Sequence, residues 1–183
     1  MKALLACLLL CGTHAVGWSF ELKDGDVVLY RHALAPGGGD PPGFQLGDCS
    51  TQRNLSESGR AQARRIGDTL RQRLGPVPIS AVWASPWCRT LETARLAFPT
   101  VTPQAQGAFA SFFERPEQET RQLAEARRLL NDWRGPGVLV VVTHQVNVTG
   151  LSGVYPASGE GVALRPRAGQ LDLLGRLEAP PTP

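Results

Sequence analysis

Histidine is scarce in this chain of 183 residues: there are three, at positions 14, 32 and 144. The four cysteines form no paired ligand sets, and no carboxylate or histidine cluster has metal-ligand spacing, so neither a structural zinc site nor another bound metal is expected. Charge of one sign is also lacking. Nineteen Lys and Arg against sixteen Asp and Glu leave a formal +3, too little to imply nucleic acid or a membrane surface as partner. No internal repeat is present, which excludes solenoids. The run "GGGD" at 37–40 lacks the Gly-Lys-Ser/Thr ending of a phosphate-binding P-loop. Beyond the first residues no apolar run is long enough to cross a bilayer, so no stable membrane insertion of the mature chain is expected.

The N-terminus has to be separated from the fold. Met1-Lys2, the apolar "ALLACLLLC" and the small-residue stretch "GTHAVG" have the layout of a secretory signal peptide over 1–17, with cleavage after Gly17 and Ala15 at the minus-three position. Export removes Cys7 and Cys11 and leaves Cys49 and Cys88. That pair reads either as a disulfide in an oxidising compartment or as two buried thiols. "NLS" at 54–56 and "NVT" at 147–149 match glycosylation acceptors by chance, because both fall beside structured motifs.

With 183 residues the chain has room for one domain, placed at 18–177, and "EAPPTP" at 178–183 reads as a frayed, disordered tail. Short apolar runs alternate with helical patterns. "DVVLY" (26–30), "ISAVWA" (79–84) and "GVLVVVT" (137–143) read as strands, with a further pair at "EGVALRP" and "GQLDLLGRL". Ala63, Ile66, Leu70 and Leu74 mark one helical face, opened by Ser56 as N-cap and stopped by Gly75-Pro76. Trp87, Leu91, Ala94 and Phe98 mark a second, and Leu123, the stem of Arg127, Leu130 and Trp133 a third. Alternation of this kind predicts an α/β fold: a three-layer α/β/α sandwich around a mostly parallel sheet.

Sites in such sheets lie beyond the carboxyl ends of the strands. There the first strand delivers Arg31-His32, the second Ser85-Pro86 followed by Arg89, and the third Thr143-His144. Both histidines left after export directly follow apolar strands. Arginine forks match the oxygens of a phosphate. Ser85 reads as an N-cap with Pro86 as first helical residue, which puts Arg89 in the opening turns, where free N–H groups and the helix dipole favour an anion. The pattern describes a phosphoryl pocket with a histidine inside it. Residues 35–48 read as a mobile loop over that site or as a plain connector.

These residues resemble the histidine phosphatase superfamily, also called phosphoglycerate-mutase-like. Its Arg-His-Gly signature is matched by "RHA" at 31–33, with alanine for glycine. Its second segment is matched by "LSESGRAQA" at 55–63, its second arginine by "SPWCRTLETA" at 85–94, and its late histidine by "VVVTHQVNVTGLSG". "GDCSTQRNLS", "WCRTLETARL", "SFFE" and "THQVN" further resemble an exported bacterial branch that includes lipopolysaccharide core heptose phosphate phosphatases.

The resemblance implies an exported, periplasmic phosphomonoester hydrolase that uses neither metal nor other cofactor. Its substrate would be a phosphorylated small molecule or an envelope glycan. It implies His32 as the nucleophile, forming a phosphohistidine, with Arg31, Arg89 and His144 holding the phosphoryl oxygens. Glu114 is the candidate general acid and base, with Glu117 and Glu119 as rivals; Arg53 and Asn54 either reach the pocket or only cap a helix. A bridge between Cys49 and Cys88 would fasten the loop beside the pocket. Two other readings are a phosphate-binding member that has lost catalysis and a phosphomutase.

Overall fold

The computed structural model describes residues 20–182; the expected leader over 1–17 lies outside the described residues. Strand β4 (Val138–Thr143) is buried at every position. The reason is visible in its alternation. Val138, Val140 and Val142 face one core cluster, while Leu139 and Val141 face another. A strand covered on both faces reads as a continuous apolar run. The first cluster is closed by α1 (Glu57–Leu74) and α2 (Cys88–Ala97), the second by α3 (Glu119–Asp132) and α4 (Gln145–Ser152). Fully buried members such as Ile66, Leu70 and Leu130 would each cost about 2–5 kcal/mol on truncation to alanine.

The remaining strands are β1 (Val27–Arg31), β2 (Ile79–Ala84), β3 (Gln104–Ala105), β5 (Gly161–Arg167) and β6 (Gln170–Leu177). Their order is β3-β2-β4-β1-β5-β6. The first four run parallel, but β5 is antiparallel to β1 and β6 to β5, so the sheet is mixed rather than mostly parallel. The cause is local. Arg167 pairs with Gln170 across a two-residue turn, Ala168-Gly169, with φ of 46° and 86° at its two positions. A hairpin of this type requires positive φ at both central residues. Alanine there conceals the turn that an Asn-Gly pair would have announced.

Helix α1 is fixed against the segment following β1. Ser56 caps it by accepting from the Gly59 N–H at 3.0 Å. A Cβ on Gly59 would sit 2.0 Å from the Leu34 carbonyl oxygen, so only glycine allows this approach. Buried Gln62 then ties three segments together: its Oε1 accepts from Leu34 N–H, and its Nε2 donates to the carbonyls of Ser158 and Pro180. Arg65 also donates to Pro181. The expected frayed tail is therefore held against α1 as far as Pro181, because its carbonyls find donors there. No helix among the described residues is long and apolar enough to cross a membrane.

Candidate active site

β1 and β4 are adjacent and parallel, with Arg31 in register with Thr143. Side chains that follow these two strands must therefore emerge at the same edge. His32 N–H donates to the Thr143 carbonyl, which pins the two ends together. The imidazoles of His32 and His144 meet edge to face with centroids 5.6 Å apart. Arg89 reaches the same place from the first turn of α2, its Nη2 3.5 Å from His144 Nδ1. A cavity of about 540 Å³ opens over these groups and is lined by Arg31, His32, Arg53, Arg89 and His144.

The protonation pattern follows from the hydrogen bonds. His32 Nδ1 lies 2.7 Å from the Ala33 carbonyl oxygen. A carbonyl only accepts, so Nδ1 carries the hydrogen and Nε2 keeps its lone pair. Burial, then the Arg89 guanidinium, push the His32 pKa down to about 3. His32 is thus a neutral base at any ordinary pH. Around His144 the logic reverses: Arg89 can only donate, so Nδ1 accepts and Nε2 donates to Ser85 Oγ at 2.7 Å. Burial and Arg89 also hold His144 well below its usual value.

Arg31 donates through Nη1 to the Pro156 carbonyl at 3.0 Å. Its Nε, like that of Arg89, is buried with no partner among the described residues. Burial lowers the pKa of Arg31 and of Arg53, and the charge of Arg89 lowers both further. Three guanidinium groups crowded at one cavity repel one another, and an anion between them relieves that repulsion.

The loop before α1 supplies a residue that sequence reasoning missed. Asp40 accepts from Arg89 Nη1 at 2.8 Å, Trp87 Nε1 at 3.0 Å and Arg53 N–H at 3.0 Å. The side chains of this ion pair are 3 % and 6 % exposed. Burial raises the Asp40 pKa, but its bonds to Arg89 and Arg53 outweigh that effect and hold the carboxyl below its usual range. The loop is fixed further by the disulfide between Cys49 and Cys88, and Arg53 donates to the carbonyls of Gly39 and Ala35. Of the two readings of the cysteines, the structure has the bridge. Residues 35–48 are accordingly a wall of the site, not a bare connector. The signal in the sequence was the aspartate closing "GGGD", which no periodicity marks.

Other candidates separate by position. Glu114 lines the cavity mouth, where its Oε1 accepts from Asp40 N–H at 3.3 Å. Glu117 and Glu119 do not line the cavity; Glu117 lies within the helical turn Pro116–Gln118 and Glu119 begins helix α3. Asn54 turns away, donating to the carbonyls of Cys49 and Gln52, and Asn147 is fully buried. Ala33, standing where the family signature has glycine, is buried and donates its N–H to Thr93 Oγ1. One local expectation fails. Helix α2 begins at Cys88 with Trp87 as N-cap, not at Ser85-Pro86. The Ser85 hydroxyl is engaged by His144 at 2.7 Å and otherwise reaches only the Trp87 N–H, at 3.5 Å, ahead of the helix. Among the described residues no group of three or more His, Cys, Asp or Glu side chains could hold a metal ion.

Comparison with known proteins gives the same picture. Residues 27–109 match the histidine phosphatase superfamily (branch 1). Among solved structures, the protein histidine phosphatase SixA complexed with tungstate aligns at TM-score 0.58 and 15 % identity, covering 84 % of this chain and 97 % of that one. The mycobacterial glucosyl-3-phosphoglycerate phosphatase aligns at 0.58 and 16 %, covering 81 % and 96 %. Phosphoserine phosphatase from Entamoeba histolytica aligns at 0.56 and 15 %, covering 82 % and 95 %. At these identities the likeness concerns the fold, which is the phosphoglycerate-mutase-like one. No curated protein is matched.

Proposed function

From the match of residues 27–109 to the histidine phosphatase superfamily (branch 1), we propose that the chain is a phosphomonoester hydrolase acting through a phosphohistidine on His32. One observation carries the reading: a neutral imidazole with its tautomer fixed by Ala33 opens into a cavity edged by Arg31, Arg53, Arg89 and His144. His32 Nε2 attacks phosphorus, the bond from phosphorus to the alcohol oxygen breaks, and the alcohol oxygen takes a proton from Glu114. Water then attacks the phosphohistidine, returns a proton to Glu114 and breaks the phosphorus–nitrogen bond, releasing inorganic phosphate and free His32. Arg31 and Arg89 stabilise charge on the phosphoryl oxygens, with His144 accepting from Arg89 and so orienting its guanidinium, and the mechanism needs no metal ion for this. Asp40 is excluded as the proton donor, since its carboxylate is held ionised by Arg89. Glu114, at the mouth, is where a leaving oxygen would pass.

The Cys49–Cys88 bridge supports an exported protein working in an oxidising compartment, with the periplasm as its place. The solved relatives act on phosphohistidine in proteins, on phosphoserine and on a phosphorylated sugar acid. That spread means the fold does not choose the substrate. The test is turnover of p-nitrophenyl phosphate in the presence of EDTA, with alkaline quenching to trap the phosphohistidine. Wild type should turn over and label, and His32→Ala should do neither. Equal rates for the two proteins would overturn the reading.

A further inference from the structure

Four large hydrophobic residues among the described ones are strongly exposed: Leu46, Phe113, Tyr155 and Leu173, at 52, 63, 69 and 46 %. Three of them, Leu46, Phe113 and Tyr155, line the cavity that contains His32. They come from three separate segments: the loop before α1, the stretch between β3 and α3, and the loop between α4 and β5. Scattered apolar exposure is ordinary, but a ring of it around one concave site marks a surface meant to be covered. Nothing else among the described residues covers it.

Below the mouth the same chemistry continues inward. Phe44 packs on Trp87 with centroids 5.8 Å apart, Trp87 on His144 at 5.2 Å, and His144 on His32 at 5.6 Å. One wall of the cavity is therefore aromatic from its opening to the nucleophile. Arg31 and Arg89, in contrast, sit at the floor beside the histidines. A phosphoryl group bound there must direct its ester oxygen, and whatever that oxygen carries, along the aromatic wall towards Leu46, Phe113 and Tyr155.

The geometry points to a substrate class: phosphomonoesters whose alcohol carries an aromatic ring or an alkyl chain, in preference to polyhydroxylated sugar phosphates. Ser111, Glu114, Arg115, Gln118 and Gln145 line the same cavity, but a sugar lying along the aromatic wall would place hydroxyls against the side chains of Leu46, Phe113 and Trp87, whose faces offer no acceptor, and would lose hydrogen bonds to water there. A ring or chain would instead bury the exposed apolar surface. This inference rests on the phosphatase reading above, and it sets aside the envelope glycan as substrate.

The test compares 2-phenylethyl phosphate, hexyl phosphate and glucose 6-phosphate. All three leave as primary alcohols, so the chemical step is matched and the mouth alone discriminates. Wild type should show kcat/KM for the two apolar esters at least about 10-fold above that for glucose 6-phosphate. Phe113→Ser combined with Tyr155→Ser should bring this ratio close to one, while competitive inhibition by inorganic phosphate changes by less than about twofold. Equal or better use of glucose 6-phosphate by wild type, or a ratio unmoved in the double variant, would overturn the inference and leave the phosphatase reading standing. Folded wild type that binds inorganic phosphate but hydrolyses none of the three esters, nor p-nitrophenyl phosphate, would overturn both.

Discussion

Strand β1 has a buried aspartate paired with an arginine near each of its ends, and the two pairs are built differently. Just before the strand, Asp26 takes both Nε and Nη2 of Arg165, at 2.7 and 2.8 Å, and also the Lys23 N–H at 2.9 Å. That fork-to-fork contact satisfies both partners. Past the other end, Asp40 takes only Nη1 of Arg89, the guanidinium also faces His144, and Arg89 Nε has no partner among the described residues. Charge burial is costly, so a pair of purely structural use should look like the first one. The second keeps donor capacity in reserve at the edge of a cavity. Incomplete pairing, more than the presence of a buried charge, marks the site.

Breaking the open pair should produce the largest change. Arg89→Ala removes a preorganised cation from the phosphoryl site and should lower kcat on p-nitrophenyl phosphate by about 10²–10³-fold, measured at saturating substrate. The closed pair should respond in the opposite currency. Arg165→Ala leaves Asp26 buried without its partner and should lower unfolding stability in urea by about 3 kcal/mol, with kcat within about twofold of wild type. Both effects falling on kcat would dissolve the distinction between the pairs.

Asp40→Asn sharpens it further. The amide keeps the shape of the side chain but loses the charge that orients Arg89 and opposes an incoming anion. Steady-state kinetics should show kcat reduced about 10-fold together with a lower KM, a split that simple loss of structure would not give. The smallest effect, taken per pH unit, concerns acid. Both site histidines have folded pKa values below their unfolded value near 6.5, so the unfolded chain binds protons that the folded one does not. The His32 contribution to stability is complete above about pH 6.5 and is lost as pH falls towards 3, on the order of 1 kcal/mol per pH unit, and His144 acts in the same direction. His32→Gln should flatten that slope in urea titrations between pH 6 and 4.

The sheet and its long helices were legible because two-sided burial writes itself as unbroken apolar runs, as in Val138–Val142, and one-sided burial as spacings of three and four, as in Ala63 to Leu74. The convergence of Arg31, His32, Arg89 and His144 could be read for the same reason, since strand ends in a parallel arrangement share an edge. Other features depend on contacts far apart in sequence. α4 has only eight residues, and its valines at 146 and 148 show no helical face. Ser85 resembles a cap until His144 claims its hydroxyl. Asp40 acquires its place only when a cross-link, Trp87 and Arg89 meet it from other parts of the chain.

That cross-link has a practical consequence. Cys88 stands immediately before Arg89, and its partner Cys49 ends the loop that carries Asp40, so one sulfur–sulfur bond staples the front of the reaction chamber to its main cation. Thiol reductants added from habit to a purification buffer would release that staple while leaving every reacting group in the preparation. An assay run without them, on protein whose oxidation has been verified by mass, is the one that reports on the molecule described here.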